Sequence, residues 1–351
     1  MRAVANPPNP FESAALEWEG PPPPAALQVF EERCRSAITE NDSPDVGFRF
    51  GVNPYRGCFH ACAYCYARPS HQYWGFGAGT DFDRKIVVKT NVAEKLREEL
   101  RAKRWKGDPI VFSGNTDCYQ PLEASYGLTR ACLEACLEVR NPVGVITKSV
   151  LVRRDLDVLA KLSEVARAHV TVSIPFADDA MARAIEPFAS PPSKRFETLR
   201  RLADVGVGCG VSLGPVIPGL NDDQLPEILE RAKAAGASSA FLILLRLPRE
   251  VREVFDARLQ EAFPLRADKV RHAILEMRQG RMNDPRFGSR MRGHGPRWQL
   301  IETLFRTTTR RLGIDVHESS VDGSLSRETT YVRPLETTTR VRSKRQLTLF
   351  E

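Results

Sequence analysis

From residue 48 onward, the chain alternates short runs of apolar and β-branched residues with longer segments whose apolar residues recur every three or four positions. Such alternation is typical of βα units that form a parallel sheet. The predicted strands cover residues 48–53, 109–113, 143–147, 170–174, 207–213 and 239–247. The predicted helices between them cover residues 92–103, 128–139, 156–168, 194–204 and 225–235.

Six βα units without a glycine-rich dinucleotide-binding fingerprint favour a partial (β/α)6 TIM-like barrel over a doubly wound sheet. The sequence therefore predicts an α/β fold in which residues 45–250 form the barrel. Barrel enzymes carry their catalytic loops at the C-terminal ends of the strands, so candidate site residues are sought there.

The segments outside the barrel differ from it in composition. Residues 1–44 begin with a proline-rich stretch that favours extended, solvated backbone, so a largely flexible arm is expected. Residues 251–332 become helical and then arginine-rich, which predicts a C-terminal extension. Residues 333–351 are polar and basic and end in QLTLFE, which predicts a flexible tail.

Charge and hydropathy exclude several classes of protein. The 51 Lys and Arg residues outnumber the 44 Asp and Glu residues, which permits an anionic partner such as nucleic acid. No apolar run approaches the roughly 18 residues that cross a bilayer, and the N-terminal residues lack the apolar core of a secretory signal. A cytoplasmic protein without membrane contact is therefore expected. In a reducing compartment, its eight cysteines are candidates for metal or redox roles rather than for disulfides.

Three of the cysteines follow the first predicted strand, in the run GVNPYRGCFHACAYCYARP. Cys58, Cys62 and Cys65 have the spacing CxxxCxxC, so their thiolates can face one point at the barrel mouth. Thiolates select zinc or iron–sulfur clusters, and three ligands on a four-iron cluster leave one iron open to an exogenous group. The alternative is a structural zinc site in which His60 or His71 supplies the fourth ligand.

The CxxxCxxC motif, with Tyr64 just before its third cysteine and a six-strand βα pattern around it, resembles the radical S-adenosylmethionine superfamily. Within that superfamily, the runs CAYCYA and SGNTDCYQPLE are similar to those of the spore photoproduct lyase and DNA-repair-photolyase-like group. The resemblance covers roughly residues 45–250.

The resemblance implies that Cys58, Cys62 and Cys65 hold a [4Fe-4S] cluster whose fourth iron binds the amino and carboxylate groups of S-adenosylmethionine (SAM). It also implies that Tyr64 lies at the cofactor and that a donor such as flavodoxin or ferredoxin supplies one electron. Cleavage of SAM would then release a 5′-deoxyadenosyl radical that abstracts hydrogen from a substrate.

Polar and small residues after the second predicted strand match the needs of SAM, which carries a carboxylate and an ammonium group. They are Ser113, Gly114, Asn115, Thr116 and Asp117. Thr116 and Asp117 could accept hydrogen bonds from the ammonium group, and Gly114 admits close approach of the backbone.

Three other strand ends supply further candidate cofactor contacts. Lys148, after the third strand, could pair with the SAM carboxylate, and Ser173, in the fourth, could donate to it. A solvated loop lysine and a half-buried strand serine are the structural alternatives. After the fifth strand, Ile217 and Gly219 resemble the superfamily's adenine-contact segment, although Pro215 stands where glycine is usual.

The hydrogen-atom donor is less well defined. Enzymes of the lyase group pass hydrogen through a cysteine, but Gly114 holds the corresponding position in this chain. Cys118 is the candidate catalytic thiol, and a small buried core residue is the alternative. Tyr66, just after the third cysteine, either relays the radical, as the resemblance suggests, or covers the cluster from water.

Two further segments indicate a nucleic-acid partner. Residues 281–298 mix arginines with aromatic residues, which can contact phosphates and stack on bases or can simply be solvated. The C-terminal residues Gln346, Leu347, Leu349 and Phe350 resemble the short motif by which bacterial DNA-repair and replication proteins dock on the sliding clamp.

The sequence thus predicts a lyase-like radical SAM enzyme, related to DNA repair photolyases, that acts on a DNA lesion or a modified nucleic acid. The same chemistry on RNA, a peptide or a small metabolite is one alternative. A non-catalytic, zinc-bearing nucleic-acid adaptor is the other.

Overall fold

The computed structural model describes residues 26–316 and 329–334. The strands are β1 (Gln28–Glu32), β2 (Ile38–Glu40), β3 (Phe50–Val52), β4 (Tyr55–Arg56), β5 (Lys85–Lys89), β6 (Ile110–Phe112), β7 (Val143–Thr147), β8 (Ala168–Ser173), β9 (Gly208–Val216), β10 (Ser239–Leu244) and β11 (Asp315–Val316). The α-helices are α1 (Thr80–Arg84), α2 (Val92–Arg101), α3 (Glu123–Tyr126), α4 (Leu128–Glu138), α5 (Leu156–Val165), α6 (Asp179–Ile185), α7 (Pro192–Asp204), α8 (Leu225–Ala234), α9 (Val251–Ala262), α10 (Ala267–Met277) and α11 (Gly295–Leu312). Short 3₁₀ helices cover Arg68–Trp74, Val150–Asp155 and Asp222–Gln224.

The main sheet has eight strands in the order β11-β10-β9-β8-β7-β6-β3-β2. All neighbours are parallel except the antiparallel pair of β2 and β3. The six strands predicted from the sequence are β3, β6, β7, β8, β9 and β10, and they pair in chain order. The prediction of a partial βα barrel is therefore confirmed. Among the described residues, β2 and β11 are the two edges, so the barrel is open.

Side chains alternate along the barrel strands with the period of two that a pleated strand imposes. In β8, Val170 and Val172 are fully buried against the helices, whereas Thr171 and Ser173 face the inside of the barrel. Small polar residues of β8 therefore face the interior, which is a cavity and is not filled by layers of large side chains as in a closed TIM barrel.

The surrounding helices cover the outer face of the sheet. One leucine from each of α2, α4, α5, α7 and α8 is fully buried in the same core; these are Leu96, Leu133, Leu159, Leu199 and Leu229. Burial of a leucine contributes about 1.5–3 kcal/mol. This layer accordingly holds the barrel strands, and with them the loops at their ends, in a fixed arrangement.

A second, smaller sheet has the strand order β1-β5-β4. Because β1 and β2 are ordered strands, the expected flexible arm over residues 1–44 is wrong for this part of the chain. The Cys34 backbone exchanges hydrogen bonds of 2.8 and 3.1 Å with the Asn91 side chain, and the Glu99 carboxylate accepts from Ile38 N at 2.8 Å. These contacts span about sixty residues, so no local sequence pattern reports them.

The C-terminal extension is helical, with α9 and α10 beside the barrel and α11 packed on α8 and β11. Residues 329–334 lie beside α2, where the Tyr331 hydroxyl donates to Leu100 O at 2.6 Å and Arg333 donates to Trp105 O at 2.7 Å. The QLTLFE motif, with Gln346, Leu347, Leu349 and Phe350, lies outside the described residues. None of the described helices combines the length and the apolar character that crossing a bilayer demands.

Candidate active site

A cavity of 930 Å³ occupies the inside of the barrel and its mouth. Ser113, Lys148, Ser173, Gly214 and Arg246 line it, and each stands at or just after the C-terminal end of a different strand. The cavity therefore lies where parallel βα barrels place their chemistry.

All three motif cysteines line this cavity, and Cys58 and Cys62 are only 7% exposed. None of the three forms a disulfide. Among the described residues, no three His, Cys, Asp or Glu side chains converge as ligands of a single metal ion. The candidate fourth zinc ligands are also engaged, since His60 pairs with Asp117 at 3.4 Å and the His71 ring contacts Lys85 O at 2.9 Å. Three free thiols spread along one cavity wall suit a four-iron cluster, whose cysteines bind different irons, better than one zinc ion.

Arg68 anchors the cysteine loop, a role that no local sequence pattern indicated. Its side chain is 1% exposed, donates twice to Cys62 O at 3.0 and 3.1 Å, and pairs with Asp83 at 2.9 Å. Further bonds to the carbonyls of Ala78 and Gly79 tie the loop to the segment before α1. Every arm of the buried guanidinium is used, so Arg68 is a structural cation.

Gln120 connects the run after β6 to the cysteine loop. Its side-chain Oε1 accepts from Phe59 N at 3.0 Å, and its Nε2 donates to Gly57 O at 3.1 Å. Gly57 has φ +73°, and a Cβ there would lie 2.9 Å from Phe82 O, so only glycine fits. One buried amide thus holds both backbone groups that precede and follow Cys58.

Asp117 and Thr116 are occupied by protein partners, which differs from their expected role as acceptors for the SAM ammonium group. The Asp117 carboxylate accepts from Thr147 Oγ1 at 2.8 Å, from Lys148 N at 2.8 Å, and contacts His60. Thr116 Oγ1 donates to Tyr55 O at 2.7 Å. Burial acts to raise the pKa of Asp117, but His60 and these hydrogen bonds lower it to about 2. Although both residues reach the cavity lining, their contacts identify them as positioning groups.

A buried network joins Tyr64 to the far side of the barrel. The Tyr64 hydroxyl donates to Glu186, Glu186 pairs with Arg195, and Arg195 donates to Ser173 O at 2.8 Å. Glu186 and Arg195 are each 1% exposed. The sequence analysis missed both, because they are joined to Tyr64 only by the fold. The network fixes the aromatic ring beside the third cysteine.

Lys148 is the cation that faces the cysteine loop across the cavity. Its Nζ lies 5.7 Å from the centre of the Tyr64 ring. Burial lowers the pKa of Lys148, whereas the nearby Cys62 raises it. Its backbone N–H is held by Asp117, so the side chain leaves from a fixed point. Lys148 and Ser173 are thus placed to bind an anionic group near the cysteines.

The residues Ser113, Gly114 and Asn115 form the lip of the cavity next to the cysteine loop. Ser113 is in the left-handed region, with φ +73°, and its Oγ accepts from Cys118 N at 2.7 Å. Gly114 O accepts from the Tyr66 hydroxyl at 2.7 Å. A non-glycine residue with positive φ is uncommon and marks a backbone held by its surroundings. The lip is accordingly preformed.

Three sequence candidates lie away from the cavity. Cys118 is fully buried in the hydrophobic core, so the candidate catalytic thiol is wrong in position. Ile217 is likewise fully buried, in a cluster with α9 and α10, and Gly219 packs near Lys269. Gly214 and Pro215 line the cavity instead. The alternation of side chains along β9 explains this, because Ser212 and Gly214 point inward.

The arginine-rich segment is more strongly paired than a solvated nucleic-acid surface would be. Arg286 pairs with Asp284 at 2.9 Å, Arg297 pairs with Glu276 at 2.9 Å, and Arg290 pairs with Asp45. Trp298 is only 4% exposed, so it is unavailable for stacking on bases. Of the two interpretations of this segment, contact with nucleic acid or solvation, neither describes Trp298, which lies in the core, and three of the arginines have carboxylate partners within the protein.

The fold and the site together define an open-barrel protein whose three unpaired cysteines face a strand-end cavity. Residues 52–232 match the family model of the Radical SAM superfamily. The chain belongs to this superfamily, which implies a [4Fe-4S] cluster and SAM as its cofactors.

Comparison with individual proteins agrees with this assignment. The chain is 36% identical over 241 residues to the uncharacterized protein Rv2578c of Mycobacterium tuberculosis, covering 68% of this chain and 71% of the relative. It is 25% identical over 188 residues to the radical SAM Nα-GlyT isomerase of Pseudomonas phage M6, covering 53% of this chain and 37% of that protein. The fold matches spore photoproduct lyase complexed with dinucleoside spore photoproduct, with a TM-score of 0.59, 14% identity and coverage of 82% and 81% of the two chains. A further structure of that lyase, which contains bound AdoMet, matches with a TM-score of 0.57, 15% identity and the same coverage.

Proposed function

We propose that the protein is a radical SAM enzyme that abstracts hydrogen from a nucleic-acid substrate, with DNA as the leading candidate. The observation that carries this proposal is the placement of Cys58, Cys62 and Cys65 on one wall of a cavity that also contains Lys148. When bound, the cluster and SAM supply a one-electron cleavage that yields a 5′-deoxyadenosyl radical.

The residues of this chain would bind and orient the cofactors. The three cysteines hold the cluster, and Lys148 with Ser173 binds the SAM carboxylate from the opposite strand ends. Asp117 acts as a positioning residue, because it fixes the Lys148 backbone. Tyr64 covers the cysteines from the side on which Glu186 holds its hydroxyl.

Tyr66 is the side chain we propose for hydrogen transfer, since Cys118 does not reach the cavity. It lines the cavity directly after the third cysteine and is 47% exposed. Its hydroxyl is held by Gly114 O at 2.7 Å, so the ring stands at the lip where a substrate enters. A tyrosine in this place could donate its phenolic hydrogen to a substrate radical.

The preference for DNA rests on the fold of spore photoproduct lyase, on the basic composition, and on the aromatic and cationic side chains of the cavity lip. Flavodoxin or ferredoxin is the proposed electron donor, and the sliding clamp is the proposed partner of QLTLF. A lyase-like reaction on a DNA lesion in the cytoplasm is the most specific form of the proposal.

The test is anaerobic reconstitution followed by reduction in the presence of SAM. The wild type should bind about four irons and release 5′-deoxyadenosine, whereas Cys62→Ala should lose both signals. Cys132→Ala is the matched control, because Cys132 is fully buried on α4 away from the cavity and should retain both. Deuterium placed at defined positions of DNA and RNA oligonucleotides should then appear in 5′-deoxyadenosine for the true substrate. Zinc without iron, or transfer only from a peptide, would overturn the proposal.

A further inference from the structure

The lining of the cavity contains more cationic side chains than carboxylates. Among the described lining residues, the basic side chains are Lys148, Arg246, Arg290, Arg292 and Arg306, and the acidic ones are Asp45, Asp117 and Glu302. Asp117 is used by His60 and Thr147, and Asp45 is used by Arg290. Within the described residues, no carboxylate lies within ion-pair distance of Arg246 or Arg292, so these two cations can pair with a bound molecule.

Arg246 faces the cavity with a thioether and an aromatic ring as its protein contacts, and without a carboxylate partner in the described part of the chain. Its Nη1 donates to Met291 Sδ at 3.7 Å, and its guanidinium lies 5.4 Å from the centre of the Tyr66 ring. Within residues 26–316 and 329–334, no carboxylate pairs with it, whereas its neighbour Arg290 is paired with Asp45. A thioether is a weak acceptor, and an aromatic ring does not neutralise a charge. Burial and the neighbouring Arg290 lower the pKa of Arg246, so a bound anion would stabilise its charged form.

The backbone around Arg246 is held on both sides. Leu245 N donates to Val216 O at 2.9 Å, and the buried Arg278 side chain donates to Leu245 O at 2.8 Å. Leu247 N donates to Asn283 Oδ1 at 3.1 Å. Arg246 is thus presented from a rigid strand end, as a preorganised binding residue should be.

We infer that Arg246 binds a phosphodiester group of the nucleic-acid substrate next to Tyr66. This inference rests on the proposed function and assigns a substrate subsite within it. A guanidinium binds phosphate through two parallel hydrogen bonds, and a half-exposed ring beside it can stack on the neighbouring base. Arg292, which is exposed on the same lip, lies where an adjacent phosphate would run. This pairing of an aromatic ring with guanidinium groups favours single-stranded nucleic acid over an acidic peptide.

The test is the affinity of the reconstituted holoprotein for a fluorescein-labelled oligothymidylate, measured by anisotropy over a range of salt concentrations. Arg246→Gln should weaken binding about tenfold or more and reduce the slope of log affinity against log salt by about 0.7, the value for one phosphate of a single strand. Arg246→Lys should retain the slope, because the charge remains. Arg252→Gln is the matched control: it removes an equal charge from an exposed position on α9 and should change neither quantity.

Single methylphosphonate linkages, which are uncharged, locate the contact and guard against misfolding of the variant. One linkage should weaken binding to the wild type but not to Arg246→Gln. Equal effects on both proteins, or equal behaviour of Arg246→Gln and Arg252→Gln, would overturn the inference while leaving the proposed function intact. If the wild type binds an acidic peptide and no oligonucleotide, the proposed substrate class itself fails. Release of 5′-deoxyadenosine by the wild type shows separately whether the radical chemistry holds.

Discussion

Two buried glutamines near the cysteine loop allow the contribution of hydrogen bonding to be separated from that of burial. Gln120 is 0% exposed and bonds to the backbone of Gly57 and Phe59, on either side of Cys58. Gln72 is 2% exposed, yet neither of its side-chain amide atoms has a hydrogen-bond partner among the described residues. Replacing each by methionine removes the amide and keeps the volume.

The expected effects differ in size and can differ in sign. Gln120→Met leaves the buried Gly57 C=O and the partly buried Phe59 N–H without partners, at up to about 3 kcal/mol each, so the free energy of unfolding should fall by about 2–6 kcal/mol. Gln72→Met removes a buried polar group that has no partner to lose, so stability should be unchanged or rise by about 1 kcal/mol.

The assay is urea unfolding of the reduced apoprotein, followed by tryptophan fluorescence. Iron and sulfide content after reconstitution gives a second readout: Gln120→Met should retain less cluster than the wild type, because the loop around Cys58 has lost its anchor. Equal losses of stability in the two variants would refute the reasoning, since burial alone would then account for both glutamines.

Three other side chains near the cluster loop give measurable outcomes. Cys118→Ala should lose about 1 kcal/mol of stability but convert substrate to the same product as the wild type, because its thiol is buried away from the cavity; loss of that product while 5′-deoxyadenosine is still released would restore its role as hydrogen donor. Glu186→Gln should lower the free energy of unfolding by about 3–5 kcal/mol, because the buried Arg195 then lacks its carboxylate partner. Adding Arg195→Met should recover part of that lost stability. The pKa of Asp117 is lowered from 3.8 to about 2. The ionised carboxylate should therefore contribute about 2 kcal/mol to the free energy of unfolding above pH 3.8, and this contribution should be lost as the pH falls toward 2. Asp117→Asn should flatten that part of the pH–stability curve; an unchanged curve would contradict this assignment.

Much of the barrel could be predicted because its signals are local. Strands such as β7 and β8 carry buried β-branched residues within five or six positions, and the intervening helices repeat their apolar residues within single segments. By contrast, β1 and β5 were missed. Lys85–Lys89 is a five-residue strand, and its pairing with Gln28–Glu32 spans more than fifty residues. Lys85–Lys89 carries three consecutive β-branched residues over the same length as β7, so its local signal was present and was missed, whereas its pairing with Gln28–Glu32 depends on the tertiary structure.

The candidate site shows the same division. Spacing alone selected Cys58, Cys62 and Cys65, and the end of a predicted strand selected Lys148, because both signals lie within a few consecutive residues. The sequence does not show which of the side chains of Asp117 and Cys118 faces the cavity. They are neighbours in the chain, yet one side chain reaches the cavity and the other lies in the core.

The sequence by itself determined the βα barrel, the cysteine motif and the basic character of the chain, since periodicity, spacing and composition need no knowledge of distant residues. Only the tertiary structure decided which polar groups meet. The Tyr64 hydroxyl finds Glu186 across 122 positions, and Arg290 finds Asp45 across 245. Because Arg290 pairs with Asp45 and Arg246 faces the cavity without a carboxylate partner among the described residues, Arg246 is the one of the two that can bind a substrate. A buried charged side chain pairs with the partner that the fold brings within hydrogen-bond distance, and the local sequence around either residue does not determine that partner.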